Sequence, residues 1–111
     1  VTDPTQHPAH TEEGPKDPIL LELLPEFLDA WQTDLSETWR GILERQDAKE
    51  LERFGHTIKG SFLQFGYRSL SAVGRAIMDD AARNDWAAAT VRVEELAAIV
   101  NTMKHTSSSQ S

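Results

Sequence analysis

The chain has 111 residues, 39% of them apolar, with 18 acidic side chains against 11 basic ones for a formal net charge of −7. That length supports one core, and the acidic balance excludes general binding to nucleic acid or anionic lipid, which needs clustered Lys and Arg. No cysteine is present, so disulfides and thiolate metal sites are excluded, and no apolar run approaches the ~20 residues that span a bilayer.

Residues 1–16 (VTDPTQHPAHTEEGPK) are polar, hold three of the five prolines and have no apolar period, which predicts a flexible leader or linker. His7 and His10 lie in it, three apart; such a pair is ordinarily solvated. No signal-peptide layout occurs, and a cytoplasmic location is the expectation. Asp17-Pro18 offers an N-cap followed by proline at the first helical position, opening the run Ile19, Leu20, Leu21, Leu23, Leu24. Pro25 is expected to break this short helix or restart it. Leu28, Trp31, Leu35, Trp39 and Ile42 then recur at threes and fours, a long amphipathic helix ending near Gln46. Gly41 sits inside it at a cost of ~1 kcal/mol relative to alanine.

Asp47-Ala48-Lys49-Glu50 has the form of a capping box. The stripe that follows is Leu51, Phe54, Ile58, Phe62, Phe65, and Gly66 is placed to end it. A further helix carries Leu70, Val73, Ile77 and Ala81 inward and stops at Asn84-Asp85. From an Asp85 cap the last helix runs Trp86, Ala89, Val93, Leu96, Val100, Met103, the period of a bundle seam. No strand pattern competes. The expected fold is all-α: an antiparallel up-down four-helix bundle over residues 17–105, with a short extra N-terminal helix and a disordered polar tail at 106–111.

His56 falls about 150° around its helix from the middle of the apolar stripe, so it is expected to face solvent. Lys49, Arg53 and Lys59 lie on or near the same face, with Glu52 the nearby acid. A mixed-charge solvated face is the plain reading of those charges. Gly60, one turn after His56, favours more: glycine in a helix interior is unfavourable by ~1 kcal/mol, and on an outer face core packing does not explain it. It leaves the imidazole open to a bulky group, and exposed Leu63 offers a docking spot beside it.

Neutral imidazole is a nucleophile near neutral pH, and its attack on a phosphoryl group gives an N-phosphohistidine. Lys59 can screen the phosphoryl oxygens, and Gln64, eight residues on, can add a hydrogen bond. The sequence holds no glycine-rich phosphate loop, no nucleotide signature and no acid cluster on this face for Mg²⁺. Such a site accepts and passes on a phosphoryl group but does not take one from ATP unaided. No metal site and no cofactor on this chain are expected.

His56-Thr57-Ile58-Lys59-Gly60-Ser61 resembles the His-x-x-Lys-Gly-Ser motif of the histidine-containing phosphotransfer (HPt) domains of multistep phosphorelays. Gly66 with Leu70, the opening at 17–27 and the Asn84-Asp85 turn fit as well, so the resemblance covers roughly residues 17 to 104. It implies that His56 is the phospho-acceptor, Lys59 its charge partner and Gly60 the clearance residue. It also implies partners: receiver domains of response regulators and hybrid sensor kinases, which bring the aspartate and Mg²⁺; Lys49, Arg53 and Leu63, on the face of His56, are the residues expected to meet them. Two positions depart from the family pattern. Phe62 stands where a second small residue is frequent, and Met78-Asp79-Asp80 replaces a leucine-glutamate pair. A monomer is expected, since one face must stay open.

Two rivals remain. A sensor-kinase dimerisation and phospho-acceptor domain usually has an acid directly after the histidine and a proline soon afterwards. Here Thr57 follows, and no proline occurs beyond Pro25. A plain adaptor, or a degenerate HPt domain that binds receivers without carrying phosphate, is expected to lose the histidine or the lysine, and both are present.

Overall fold

Asp17 starts the first helix by accepting a hydrogen bond from the Ile19 amide at 2.9 Å, with Pro18 at the first helical position where its missing N–H costs nothing. The computed structural model describes residues 13–109, with side chains described through residue 106. His7 and His10 therefore lie outside the described residues. The elements are α1 (Pro18–Thr33), a π-helical turn (Asp34–Thr38), α2 (Trp39–Arg45), α3 (Ala48–Gln64), α4 (Arg68–Ala82) and α5 (Trp86–Ser109). Among the described residues there is no strand.

Pro25 does not break the first helix, so the expected short extra helix is the opening of α1 itself. Pro25 removes one hydrogen bond, to the Leu21 carbonyl, but both residues are exposed and water can take that carbonyl. Burial of Leu28 and Trp31 just beyond holds the helix together. The π turn then joins α1 to α2 without interrupting the rod. Within it the Ser36 hydroxyl reaches the carbonyls of Gln32 and Thr33 at 3.2 and 3.1 Å, and Thr38 Oγ1 donates to Asp34 Oδ1 at 2.9 Å. Leu28, Trp31, Leu35, Trp39 and Ile42 all remain buried across it.

Gln46 ends α2 in the left-handed region at φ 52°, and Asp47 caps α3 by accepting from the Lys49 amide at 2.9 Å. The other half of the expected capping box is absent. Glu50 turns away to Arg45, whose Nε donates to it at 2.8 Å. Gly66, at φ 84°, terminates α3 in a Schellman arrangement: Tyr67 N–H reaches the Phe62 carbonyl and Gly66 N–H that of Leu63. Asn84, at φ 53°, repeats it after α4, with Asp85 N–H on Asp80 O and Asn84 N–H on Ala81 O. Asp85 then caps α5 through the Ala88 amide at 3.1 Å. The last helix continues through 106–109, where a tail was expected, because neither glycine nor proline stops it.

The core is an aromatic ladder closed by aliphatic side chains. Phe27 stacks on Phe65 at 3.9 Å, Trp31 lies between Phe62 and Phe54, and Trp39 stacks on Phe54 at 6.2 Å. Ala89, Val93, Leu96 and Val100 cover it from α5. Asp80 is completely buried at the end of α4 and is matched by charge: Arg83 Nη2 lies at 2.8 Å and Arg92 Nε at 2.6 Å. Hydrogen bonding to Asp80, ahead of all other causes, raises the Arg92 pKa from its ordinary value.

The end of the proline-rich leader is held to the fold, although its composition predicts flexibility through residue 16. Gly14 N–H donates to the Gly66 carbonyl at 3.0 Å. The Glu13 carboxylate accepts from the Ser69 amide at 3.2 Å and the Ser69 hydroxyl at 2.8 Å. It supplies the N-terminal cap that Tyr67, at the start of α4, does not make with its own side chain.

Candidate functional site

The period of α3 divides its residues cleanly. Leu51, Phe54, Ile58 and Phe62 are buried, and His56 on the far side is exposed, as the spacing requires. The helix is rigidly seated there, because α3 and α4 approach to backbone contact. A Cβ at Gly55 would stand 2.7 Å from the Gly74 carbonyl oxygen, and one at Gly74 would stand 2.5 Å from the Lys59 nitrogen. Ser71 completes the seam by donating its hydroxyl to the Lys59 carbonyl at 2.8 Å. The helical turn from Gly55 to Lys59, which carries His56, is thereby clamped from behind.

Gly60 is the opposite kind of glycine. Among the described residues no packed neighbour lies within 4 Å of the position its Cβ would take, so the space above His56 is open. Lys59, half-buried, follows the imidazole by one turn. Lys49, Arg53 and His56 share a shallow hollow of about 370 Å³ with Glu52 and with Met78, which reaches in from α4. Among the described residues no ion pair holds Lys49, Arg53 or Lys59, and no hydrogen bond or ion pair fixes the His56 ring. The cations are available to an incoming anion.

The remaining candidates lie farther on. Leu63, 52% exposed, and Gln64 belong to the last turn of α3. Eight residues at 1.5 Å each put Gln64 about 12 Å along the axis from His56, so it is not brought to the imidazole. Residue types alone did not reveal Met78, or the Gly55–Gly74–Ser71 seam, as part of the setting. The available signal was the triplet of small residues, Gly55 on one helix with Ser71 and Gly74 three apart on the next.

No group of three His, Cys, Asp or Glu among the described residues could hold a metal ion. Among the described residues no helix is long and apolar enough to cross a membrane. A hollow of about 540 Å³ lies away from His56, between Tyr67, Leu70, Ile99 and Met103. The arrangement at His56 suits nucleophilic acceptance of an anionic group delivered by a bulky donor. A family model, the Hpt domain, matches residues 19–106. Neither the curated proteins nor the solved structures give a match.

Proposed function

We propose, from the premise that the chain belongs to the Hpt domain family, that it relays phosphoryl groups through His56 between receiver domains. Members of the family are phosphotransfer modules and not autonomous kinases. The observation that carries the reading is an exposed imidazole with open space over Gly60, one turn away, and unpaired cations around it. We read the helices as an antiparallel up-down bundle that presents this face of α3 as a rigid platform. Phe27 opposite Phe65 and Trp39 opposite Phe54 support that reading.

In the forward step the free electron pair of one His56 ring nitrogen forms the N–P bond. The P–O bond to the receiver's aspartyl carboxylate breaks, and the carboxylate leaves with that electron pair. The opposite ring nitrogen keeps its proton. Transfer onward is the reverse, onto a second receiver's aspartate. Lys59 balances the phosphoryl charge, while Lys49, Arg53 and Leu63 meet the receiver, with Gln64 on the rim of that contact. The receiver brings Mg²⁺. A monomer suffices, and the cytoplasm, where receivers work, is the expected setting.

The test is transfer from a receiver domain phosphorylated on its aspartate by acetyl phosphate. Acid-labile, alkali-stable label should appear on this chain and vanish in His56→Gln while helix content, read by circular dichroism, is unchanged. Label that persists in His56→Gln places the acceptor elsewhere. Binding to receivers with no label on the wild type leaves the adaptor role in its place.

A further inference from the structure

We infer that Met78 is a positioning residue for His56, acting by contact where no hydrogen bond acts; this rests on the phosphotransfer role proposed above. Among the described residues Met78 is the one member of the hollow that comes from α4, and the one apolar side chain beside Lys49, Glu52, Arg53 and His56. Gly55, the residue immediately before His56, is what lets it reach in. A Cβ at Gly55 would stand 2.9 Å from Met78 Cγ and 3.0 Å from the Met78 nitrogen, so the methionine rests in a notch that any other residue would close. The thioether is a flexible, polarizable wall, well suited to lie against a flat ring.

The second half of the inference concerns the ring itself. Among the described residues nothing hydrogen-bonds to the imidazole, so the protein selects neither tautomer; that selection is ordinarily made by the bond the second nitrogen forms. The attacking nitrogen must carry the free electron pair, and it must point outward. Orientation and tautomer together set the fraction of encounters that react. Met78 restricts the orientation and leaves the tautomer open, so the same ring serves whichever partner arrives.

The experiment compares the wild type with Met78→Leu, Met78→Ala and Met78→Gln in the full chain, with thermal unfolding as the folding control. Phosphoramidate, a small donor that needs no partner protein, supplies the phosphoryl group, and ¹⁵N chemical shifts of the ring report the tautomers. Met78→Leu should phosphorylate within about twofold of the wild type, and Met78→Ala about three- to tenfold more slowly, as looser placement predicts. Met78→Gln, which sets a hydrogen-bonding amide against the ring, should shift the tautomer ratio of His56. An alanine variant at the wild-type rate, or a glutamine variant with unchanged ring shifts, overturns the inference. If the wild type takes no label from phosphoramidate or from any phosphorylated receiver, the phosphotransfer reading fails. The ring shifts of the alanine and glutamine variants then still decide whether Met78 positions His56.

Discussion

Gly60 isolates helix propensity from packing, because a Cβ there would meet no packed neighbour within 4 Å among the described residues. Gly60→Gln should therefore raise stability by about 1 kcal/mol, the usual difference between glycine and a good helix former, read as a higher urea midpoint. Phosphoryl uptake from a receiver should fall by about tenfold or more, since a donor held even slightly away from its attack position reacts far more slowly. A variant that is stabilised yet transfers at the wild-type rate would remove the clearance argument. That His56 and Gly60 face outward was legible in the sequence, because helical period alone decides which way a residue faces on a long amphipathic helix. That Met78 lines the same hollow as His56 was not, because it depends on how closely a second helix approaches, and period carries no information about that distance.

The pair α3–α4 is set by glycines of contrary meaning. At Gly74 a methyl group would meet the backbone nitrogen of Lys59 at 2.5 Å and the carbonyl oxygen of Gly55 at 2.6 Å, and backbone atoms have no rotamer by which to yield. Gly74→Ala should cost about 1–3 kcal/mol, the range for overfilling a tight contact, and lower the thermal midpoint. Helix propensity alone predicts the reverse sign. A stabilised Gly74→Ala would mean that the two helices can separate freely. The helix ends were largely readable, because Asp17, Asp47, Gly66 and Asn84-Asp85 act through local chemistry. Pro25 and Glu50 were misjudged for different reasons: exposure relieves the proline of its cost, and a competing cation at Arg45 draws the glutamate away from its capping role. The buried Asp80 with Arg83 and Arg92 was equally out of reach, since Arg92 approaches it from another helix.

Across the whole molecule the leader and the α3–α4 turn meet at Tyr67, the single tyrosine of the chain. Burial, and after it the Glu13 charge, raises its pKa from 10.0. A group whose folded pKa lies above its unfolded value contributes stability that is complete below pH 10 and is lost as pH rises through the folded value. The unfolding temperature should thus fall above pH 10, and less so in Tyr67→Phe. Absorbance titration of the phenol should give a midpoint above 10, moved down but still above 10 in Glu13→Gln, because burial is the larger cause. A midpoint unmoved by that substitution would mean that the leader does not rest there in solution. The all-helical fold and its order of elements follow from apolar period. That residues 13 and 14 are tied to residues 66 and 69 does not, for a polar, proline-rich segment offers no periodic sign of where it will be held.

That tie also has a mechanical side. Tension arriving along the chain from before Glu13 is borne first by the Gly14–Gly66 and Glu13–Ser69 hydrogen bonds, and reaches Pro18 only after they part. The load thus enters at the turn that ends α3, about three turns from the imidazole on the same stiff rod, with α1 shielded until the clasp gives way.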